Sequence, residues 1–249
     1  MTPFRAMFSS DWNQCLAPCG PFDCISFSYP EIAPALQTIF KSYTANRISL
    51  GRAAERIRDL LPETLSTASM DAYLRDSFST YSGVAGLIEW CARHRVLFMI
   101  NTTGAIGYFQ RALALEMLPP VPVLAAHPLI RYAPGPKDPA IVSELLEIDD
   151  KARYSAEAAR RHGIEGSRVI VMGDSGGDGP HFAWASAVGA FKIGSMTKPS
   201  LSSYCREVKI GIDLRFGVNY EAGQEQHPGR EMAVDFMDLV PVIEDVLTR

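Results

Sequence analysis

The sequence predicts an α/β fold, with a doubly wound parallel sheet as its core and a small all-helical cap inserted after the first strand. From residue 84 onward, short apolar runs alternate with segments whose apolar residues recur at helical spacing. The apolar runs are continuous, which is typical of parallel strands covered by helices on both faces. Residues 30–82 show helical spacing without a strand-like run. Together these patterns indicate a Rossmann-like core that carries a helical insert.

The composition is that of a globular protein. Of the 249 residues, 47% are hydrophobic and 21% are charged, so one or two folded domains are expected. The 24 basic and 28 acidic residues give a net charge of −4, which argues against a broad surface for nucleic acid or membrane. No run approaches the roughly 18 apolar residues of a membrane span, and segment 1–11 is too polar for a signal peptide. We therefore expect a cytoplasmic protein of undetermined oligomeric state.

The first strand and the cap come from the amino-terminal third of the chain. Residues 4–10 form a short run that is mostly apolar and aromatic and ends before Asp11, which predicts a buried strand with an acid at its tip. A loop rich in Cys, Pro and Gly follows, and helical spacing then extends to about residue 81. The predicted domains are the core, 1–28 and 83–249, and the cap, 29–82.

The remaining elements of the core alternate between helix and strand. The predicted helices are 83–93, 105–117, 155–162 and 182–188, and the predicted strands are 96–100, 121–126, 169–172 and 190–193. Residues 196–232 have weak periodicity. We expect that segment to be rich in loops, with one hairpin near 208–216.

Polar side chains stand at the predicted strand ends, where ligands bind in open parallel sheets. Asp11, Thr102 and Asp174 each follow an apolar run, and Lys151 precedes the run that ends in Asp174. An Asp at a strand end either forms a turn or acts as a nucleophile toward a phosphoryl group. The Thr102 hydroxyl either binds a phosphate oxygen or satisfies nearby backbone. Lys151 is either a solvated charge or a point charge that neutralises a phosphoryl group.

The strongest local signal is the segment 169–179, VIVMGDSGGDG. Asp174 and Asp178 lie four residues apart in a glycine-rich turn and can face one point. Carboxylate oxygens are preferred ligands of a hard cation such as Mg²⁺, and glycines let the backbone approach it closely. The alternative is a polar turn in which Ser175 or Asp178 caps a helix.

The five cysteines offer a different kind of site. Cys15, Cys19 and Cys24 cluster in the first loop, whereas Cys91 and Cys205 lie far downstream. No fourth ligand stands at a spacing typical of zinc sites. Buried structural thiols are therefore favoured over a zinc centre.

Taken together, these motifs resemble those of the haloacid dehalogenase superfamily. That family places a DxDx[TV] motif after its first strand, and Asp11-Trp12-Asn13-Gln14-Cys15 stands there in this chain. It places Ser or Thr after its second strand, which Thr102 matches. It places a Lys before a GDxxxD motif, and here Lys151 precedes 173–178. The match covers about 3–28 and 83–195, and the helical insert resembles the cap of the phosphoserine phosphatase-like branch.

The resemblance implies a metal site and a phosphatase activity. In the family's pattern, Mg²⁺ would be held by the Asp11 carboxylate, the Asn13 backbone carbonyl and Asp174, with Asp178 close behind. Asp11 would attack phosphorus and form an aspartyl phosphate. Thr102 and Lys151 would hold and neutralise the phosphoryl oxygens. The implied substrate is a small phosphorylated metabolite.

One departure from the family's pattern concerns proton transfer. The second Asp of the first motif is the family's general acid and base, and here it is Asn13. An amide does not exchange a proton usefully near neutral pH, and loss of a positioned acid or base typically lowers a rate by about 10² to 10⁴. The chain is therefore either a phosphatase-like hydrolase, slowed by Asn13, or a homologue that binds phosphorylated metabolites without turnover. A dehalogenase or a phosphomutase is a further alternative.

Several other residues have weaker claims to a role. His181 lies three residues beyond Asp178 and either supplies the missing proton chemistry or makes a local hydrogen bond. Trp12 either shields or lines the site, and Lys137 is a more distant alternative to Lys151. The cap carries six basic residues, of which one could bind the leaving group and most would form a solvated face: Lys41, Arg47, Arg52, Arg56, Arg58 and Arg75.

Overall fold

A computed structural model describes residues 3–44 and 47–248, and it contains one seven-stranded parallel sheet. The strands are β1 (Ala6–Ser10), β2 (Val96–Ala105), β3 (Val123–His127), β4 (Ile141–Glu144), β5 (Val169–Gly173), β6 (Phe191–Ser195) and β7 (Leu214–Phe216). Their order in the sheet is β4-β3-β2-β1-β5-β6-β7. Every neighbouring pair is parallel, which confirms the predicted fold class.

Eleven α-helices lie in the described part of the chain. They are α1 (Asp23–Ser28), α2 (Ala33–Thr44), α3 (Leu50–Leu60), α4 (Thr67–Ser77), α5 (Val84–Arg93), α6 (Ile106–Ala114), α7 (Asp150–His162), α8 (Gly179–Val188), α9 (Pro199–Glu207), α10 (Pro228–Glu231) and α11 (Val240–Thr248). Local sequence explains several of their ends. The Ser49 side chain caps α3 at its amino end, and α7 and α8 end at the left-handed residues Gly163 and Gly189.

The sheet separates two apolar clusters, as expected for a doubly wound fold. Along β1, Phe8 faces one cluster and Met7 faces the other. The Phe8 cluster receives α5, α6 and α11, and the Met7 cluster receives α7, α8 and α9. Because helices cover both faces of these strands, all five residues of β1 and of β5 are buried, including the polar Ser9 and Ser10.

The strand order places the topological switch point of the sheet between β1 and β5. The chain proceeds from β1 through β2 and β3 to β4 at one edge, then returns to β5 on the other side of β1. In open α/β sheets, the crevice at the carboxyl ends of the strands at such a point is the usual ligand site. Asp11 and Asp174 follow the two strands that flank this switch point.

The segment between β1 and α5 is helical, and it is anchored to the core at two places. Arg111 on α6 makes two hydrogen bonds to Asp71 on α4, at 2.6 and 2.9 Å. At the start of α3, the Glu147 carboxylate accepts hydrogen bonds from the backbone N–H groups of Leu50 and Gly51. The division of the chain into a core and a cap at 29–82 stays a prediction.

The structure corrects the sequence interpretation at the sheet edges. The prediction of a hairpin near 208–216 is wrong, because this segment contributes only β7, which pairs in parallel with β6. The sequence interpretation also placed the last strand at 190–193 and missed both edge strands, β4 and β7. These strands have four and three residues and are only partly buried, so they lack the long apolar run that reveals a central strand. Helix α7 begins at Asp150, five residues earlier than predicted, and therefore includes Lys151.

No helix in the described ranges is long and apolar enough to cross a membrane.

Candidate functional site

Three carboxylates meet at the carboxyl edge of the sheet. Asp11 follows β1, and both Asp174 and Asp178 follow β5. One carboxylate oxygen from each lies within 4.8 Å of the others, and all three residues are buried. They come together because β1 and β5 are adjacent and parallel, with Ser10 opposite Met172 in the register.

The loop after β1 fixes Asp11. Its backbone N–H donates to the Met172 carbonyl at 3.0 Å, and its carboxylate accepts from the Trp12 N–H at 2.7 Å. The Trp12 carbonyl then accepts from the N–H groups of Leu16 and Ala17, closing a tight turn. The Trp12 indole packs against Phe109 and is fully buried. Trp12 thus anchors the loop, and its side chain does not line the site.

The loop after β5 is organised around Asp178. One carboxylate oxygen accepts from the N–H groups of Asp174 at 3.0 Å and Ser175 at 3.3 Å, and the other accepts from Lys151 at 2.6 Å. A Cβ on Gly173 would lie 2.3 Å from the Asp178 carboxyl carbon, so this position requires glycine. The capping turn offered by the sequence as an alternative is present, and the same turn aims Asp174 at Asp11.

Lys151 joins two of the carboxylates. Its ammonium lies 3.2 Å from Asp11 Oδ2 as well as 2.6 Å from Asp178, and the residue is 1% exposed. Its backbone carbonyl accepts from the Asn101 amide on β2 at 2.8 Å. Burial by itself lowers the pKa of Lys151, but the two carboxylates outweigh it and raise the pKa above its usual value. The ammonium is therefore a permanent positive charge at Asp11.

A second lysine, Lys198, was missed by the sequence interpretation. Its ammonium lies 2.5 Å from Asp174 Oδ2 and also contacts the Gln14 side chain. Its backbone N–H donates to the Asp174 carbonyl at 2.8 Å. Its position in the sequence could have identified it, because Lys198 closely follows β6, the strand next to β5.

Asn13 and Thr102 are held to each other. The Thr102 hydroxyl donates to Asn13 Oδ1 at 3.1 Å, and the Asn13 amide nitrogen donates to the Cys19 carbonyl at 3.3 Å. A Cβ on Gly104 would lie 2.8 Å from Asn13 Oδ1, so the small residue leaves space for this contact. The amide at position 13 thus lies beside Asp11 and has both its polar atoms engaged.

The three carboxyl groups differ in their acidity. Burial raises the pKa of Asp174 to about 7; Lys198 opposes this effect, and the nearby carboxylates Asp178 and Asp11 reinforce it. Burial also raises the pKa of Asp11, although the Lys151 charge opposes it. Burial also raises the pKa of Asp178, but the positive charge of Lys151 outweighs this effect, so the pKa of Asp178 is lowered.

The donor set fits a hard divalent cation. Three buried carboxylates face two ammonium groups, so the cluster keeps a net negative charge when all five are ionised. Asp174 Oδ2 is buried and makes an ion pair to Lys198 but no aligned hydrogen bond, so it retains capacity for another ligand. Within the described ranges this is the one group of three or more acidic, histidine or cysteine ligands found at metal-binding distance. Oxygen ligands of this kind suit Mg²⁺.

The remaining candidates lie elsewhere. His181 is fully buried and hydrogen-bonded to the Ser155 hydroxyl at 2.8 Å. Burial, reinforced by Lys151, lowers its pKa to about 3, so it is a neutral structural histidine. Lys137 pairs with Glu116 on the surface. All five cysteines are free thiols, and Cys15 and Cys24 are buried.

Asp11 and Asp174 of the acidic cluster lie at the floor of a cleft of about 900 Å³. Its floor includes Asp11, Asn13, Lys151, Asp174 and Lys198. Its walls come from α2, from α9 and from the loop after β7, which belongs to the segment 196–232 that carried little sequence signal. None of the six basic residues of the helical insert lies among the lining residues identified for the cleft.

Comparison with known proteins places the fold. No family model and no curated protein matches this chain in sequence. Among solved structures, a phosphoserine phosphatase with an analogue of its phospho-aspartyl intermediate superposes with a TM-score of 0.66 at 14% identity, over 96% of this chain and 99% of that one. A HAD family hydrolase from Salmonella enterica serovar Typhi gives 0.68 at 15% identity, over 98% and 73%. A probable phosphoserine phosphatase from Vibrio cholerae gives 0.63 at 10% identity, over 99% and 67%.

These likenesses extend over nearly the whole chain, the helical insert included. At such low identity they establish the architecture, and they agree with the resemblance drawn from the four motifs. The chain therefore has the fold of phosphoserine phosphatase and of HAD family hydrolases.

Proposed function

We propose that this protein is a Mg²⁺-dependent, phosphatase-like hydrolase that cleaves a small phosphate monoester through an aspartyl phosphate. The observation that carries the proposal is the placement of Asp11. It is a buried carboxylate at the switch point of the sheet, with two further carboxylates within 4.8 Å and the Lys151 ammonium at 3.2 Å. Phosphoryl transfer depends mainly on positioning and charge stabilisation, and this cluster supplies both.

The Asp11 carboxylate, the Asn13 backbone carbonyl and Asp174 would hold the metal ion. Asp178 would position these ligands without binding the ion directly, because its two oxygens are engaged by Lys151 and by backbone N–H groups. When bound, Mg²⁺ would supply positive charge to the phosphoryl oxygens and help to orient them.

In the first half-reaction, an Asp11 oxygen attacks phosphorus and the bond from phosphorus to the leaving oxygen breaks. Lys151 binds phosphoryl oxygens while charge develops on them. The Thr102 hydroxyl would join it by turning away from Asn13 Oδ1, to which it donates in this structure. In the second half-reaction, water attacks phosphorus, inorganic phosphate leaves and the Asp11 carboxylate is regenerated. The leaving oxygen must gain a proton in the first step, and the attacking water must lose one in the second.

The second candidate function is binding of a phosphorylated metabolite without turnover, and Asn13 is the observation that favours it. Asn13 stands where the family's proton-transferring Asp would be, and its amide is fixed by Thr102 and Cys19. The site then retains its nucleophile and charge groups but lacks a positioned acid or base.

Phosphate release with and without Mg²⁺ tests the proposal, with Asp11→Asn as the matched variant. This change keeps the size of the side chain and removes the nucleophile. Mg²⁺-dependent release by the wild type alone supports the hydrolase, and equal background release by both favours the binding protein.

A stability measurement tests the metal separately from activity. A ligand that binds only the folded state raises its melting temperature, so Mg²⁺ should stabilise the wild type. Asp174→Ala should abolish that shift. A shift that is unchanged in this variant would remove Asp174 from the proposed metal site.

A further inference from the structure

The cleft above Asp11 has two chemically different ends. Its floor carries the charged groups that would hold a phosphoryl group. Its walls carry aromatic rings and side-chain amides, contributed by Phe40 and Tyr43 of α2, Tyr204 of α9, and Tyr220, Gln224 and Gln226 of the loop after β7. Because the phosphoryl group binds at the floor, the walls surround the alcohol that leaves.

Charged groups are scarce along these walls. Apart from the charged residues of the floor, the described residues that line the cleft include one charged side chain, that of Glu207, which is exposed at the rim. None of the six basic residues of the helical insert is among the lining residues identified for the cleft, and two of them form surface ion pairs, Arg52 with Glu55 and Arg75 with Asp71. The walls therefore offer no cation to a carboxylate on the leaving group.

We propose that the leaving group is an uncharged, ring-bearing alcohol of about the size of a nucleoside, and that amino acid phosphates such as phosphoserine are poor substrates. This proposal rests on the proposed function. An amino acid leaving group would bring an ammonium and a carboxylate against walls that carry no cation, away from the two lysines of the floor, and the desolvation of those charges is costly. A neutral ring incurs no such cost and gains burial against the aromatic walls.

The wall residues suit such a ring. The side chains of Phe40, Tyr43 and Tyr204 are each half-buried, so they are held in place yet still present a face to the cleft. Aromatic rings favour offset or edge-to-face packing with a planar ligand. The Gln224 and Gln226 amides each offer a donor and an acceptor, which matches the mixed polar edge of a heterocycle or a sugar.

The Tyr220 hydroxyl donates to the Glu231 carboxylate at 2.6 Å, and Tyr81 donates to the same carboxylate at 2.8 Å. This buried contact joins the loop after β7 to Tyr81, at the end of the helical insert. The cleft volume of about 900 Å³ also falls in the range of sites for drug-sized ligands. It is well above the volume that a serine leaving group would fill.

The experiment compares uridine 5′-monophosphate with O-phosphoserine, which share a phosphoryl group and differ in the leaving alcohol. For the wild type with Mg²⁺, we expect kcat/KM to favour the nucleotide by about 100-fold, equivalent to about 2.8 kcal/mol. Tyr43→Ala and Tyr204→Ala should each raise KM for the nucleotide about tenfold and change phosphoserine hydrolysis little. Phe27→Ala, an exposed aromatic outside the cleft, is the matched control and should leave both substrates unaffected.

Binding to the Asp11→Asn variant separates this proposal from the proposed function. Tighter binding of the nucleotide without wild-type turnover of either ester would support the neutral cleft and refute the hydrolase. Turnover that favours phosphoserine, or treats both esters equally, would overturn the neutral cleft and leave the hydrolase standing. Absence of binding by the nucleotide would also overturn it.

Discussion

At the scale of single residues, the proposed mechanism makes position 13 the one that sets the rate of turnover. Asn13 keeps the hydrogen bond that a carboxylate would make with Thr102, since its Oδ1 accepts from that hydroxyl. What it lacks is a proton to give and a basic oxygen to receive one. The amide therefore preserves the structure of the site and removes one chemical function.

The variant Asn13→Asp should restore that function. We expect turnover to rise by up to about 10² to 10⁴, chiefly through faster breakdown of the aspartyl phosphate, because water then has a base. The measurement is rapid acid quenching, with the wild type accumulating phosphoenzyme and the variant not. Asn13→Ala is the control, since it removes the contact with Thr102 without adding a base. Equal phosphoenzyme levels and rates in the wild type and Asn13→Asp would contradict the assignment.

Lys198 is the second residue whose role can be isolated. Its ammonium lies 2.5 Å from Asp174 Oδ2, where it offsets the charge of a buried carboxylate. Removal of one partner of such a pair is destabilising because the other charge is left without compensation. The same removal strengthens the attraction of the cluster for a cation.

Lys198→Met should therefore lower the melting temperature without Mg²⁺ and enlarge the shift that Mg²⁺ produces. Thermal denaturation across a Mg²⁺ titration gives both quantities in one series. Lys192→Met is a control, since Lys192 pairs with Asp213 outside the acidic cluster. A Mg²⁺ shift in Lys198→Met that is equal to or smaller than that of the wild type would show that Lys198 does not compete with the ion.

At the scale of elements, the position of the helical insert depends on a contact between α3 and the core. The Glu147 carboxylate accepts from the N–H groups of Leu50 at 3.0 Å and Gly51 at 3.1 Å, and from the Ser49 hydroxyl at 2.8 Å. These N–H groups have no partner within the helix, and the helix dipole favours an anion there. One side chain of the core thus caps a helix of the insert.

Glu147→Ala should cost about 1 to 2 kcal/mol in unfolding free energy, the usual effect of losing a helix cap. The loss should be local, so hydrogen exchange should accelerate in the first turn of α3 and stay unchanged in β1 and β5. Glu147→Gln keeps an acceptor oxygen and loses the charge, and it should fall between the wild type and Glu147→Ala. Uniformly faster exchange across the sheet would contradict this local role.

At the scale of the whole molecule, stability depends on pH through histidines that are buried in the neutral state. His127 is 5% exposed at the end of β3, and its Nδ1 accepts from the Leu129 N–H at 3.0 Å. Burial lowers the pKa of His127 to about 4, and the nearby Arg58 charge adds to this. The unfolded chain takes up this proton near pH 6.5. The contribution to stability is therefore complete above pH 6.5 and is lost as the pH falls toward 4.

His127→Asn should weaken this acid sensitivity, because Asn accepts the Leu129 N–H and does not titrate. One pKa unit corresponds to about 1.4 kcal/mol, so the difference in pH dependence should be on the order of 2 to 3 kcal/mol between pH 7 and pH 4.5. Urea unfolding at the two pH values measures it. Parallel stability curves for the two proteins would show that His127 does not titrate with folding.

The sequence by itself determined the central strands and the residues at their ends. Most residues of β1, of β5 and of the first half of β2 are apolar because both faces of the sheet are covered, although Ser9 and Ser10 of β1 are polar and buried. Asp11 and Asp174 come at the ends of β1 and β5, so parallel geometry alone brings them to one edge, whereas Thr102 lies within β2, which extends to Ala105. The motif order then sufficed to predict the fold class and this set of residues.

The tertiary structure decided what the strand-end residues touch. Lys198, the edge strands β4 and β7 and the aromatic walls of the cleft come from short or weakly patterned segments, whose positions depend on packing against distant elements. Asp178 shows the same limit, since the sequence places it near a predicted metal site but cannot show that Lys151 and two backbone N–H groups engage both its oxygens. Local periodicity encodes which face of an element is buried, whereas contacts between side chains far apart in sequence are fixed only when the whole chain packs.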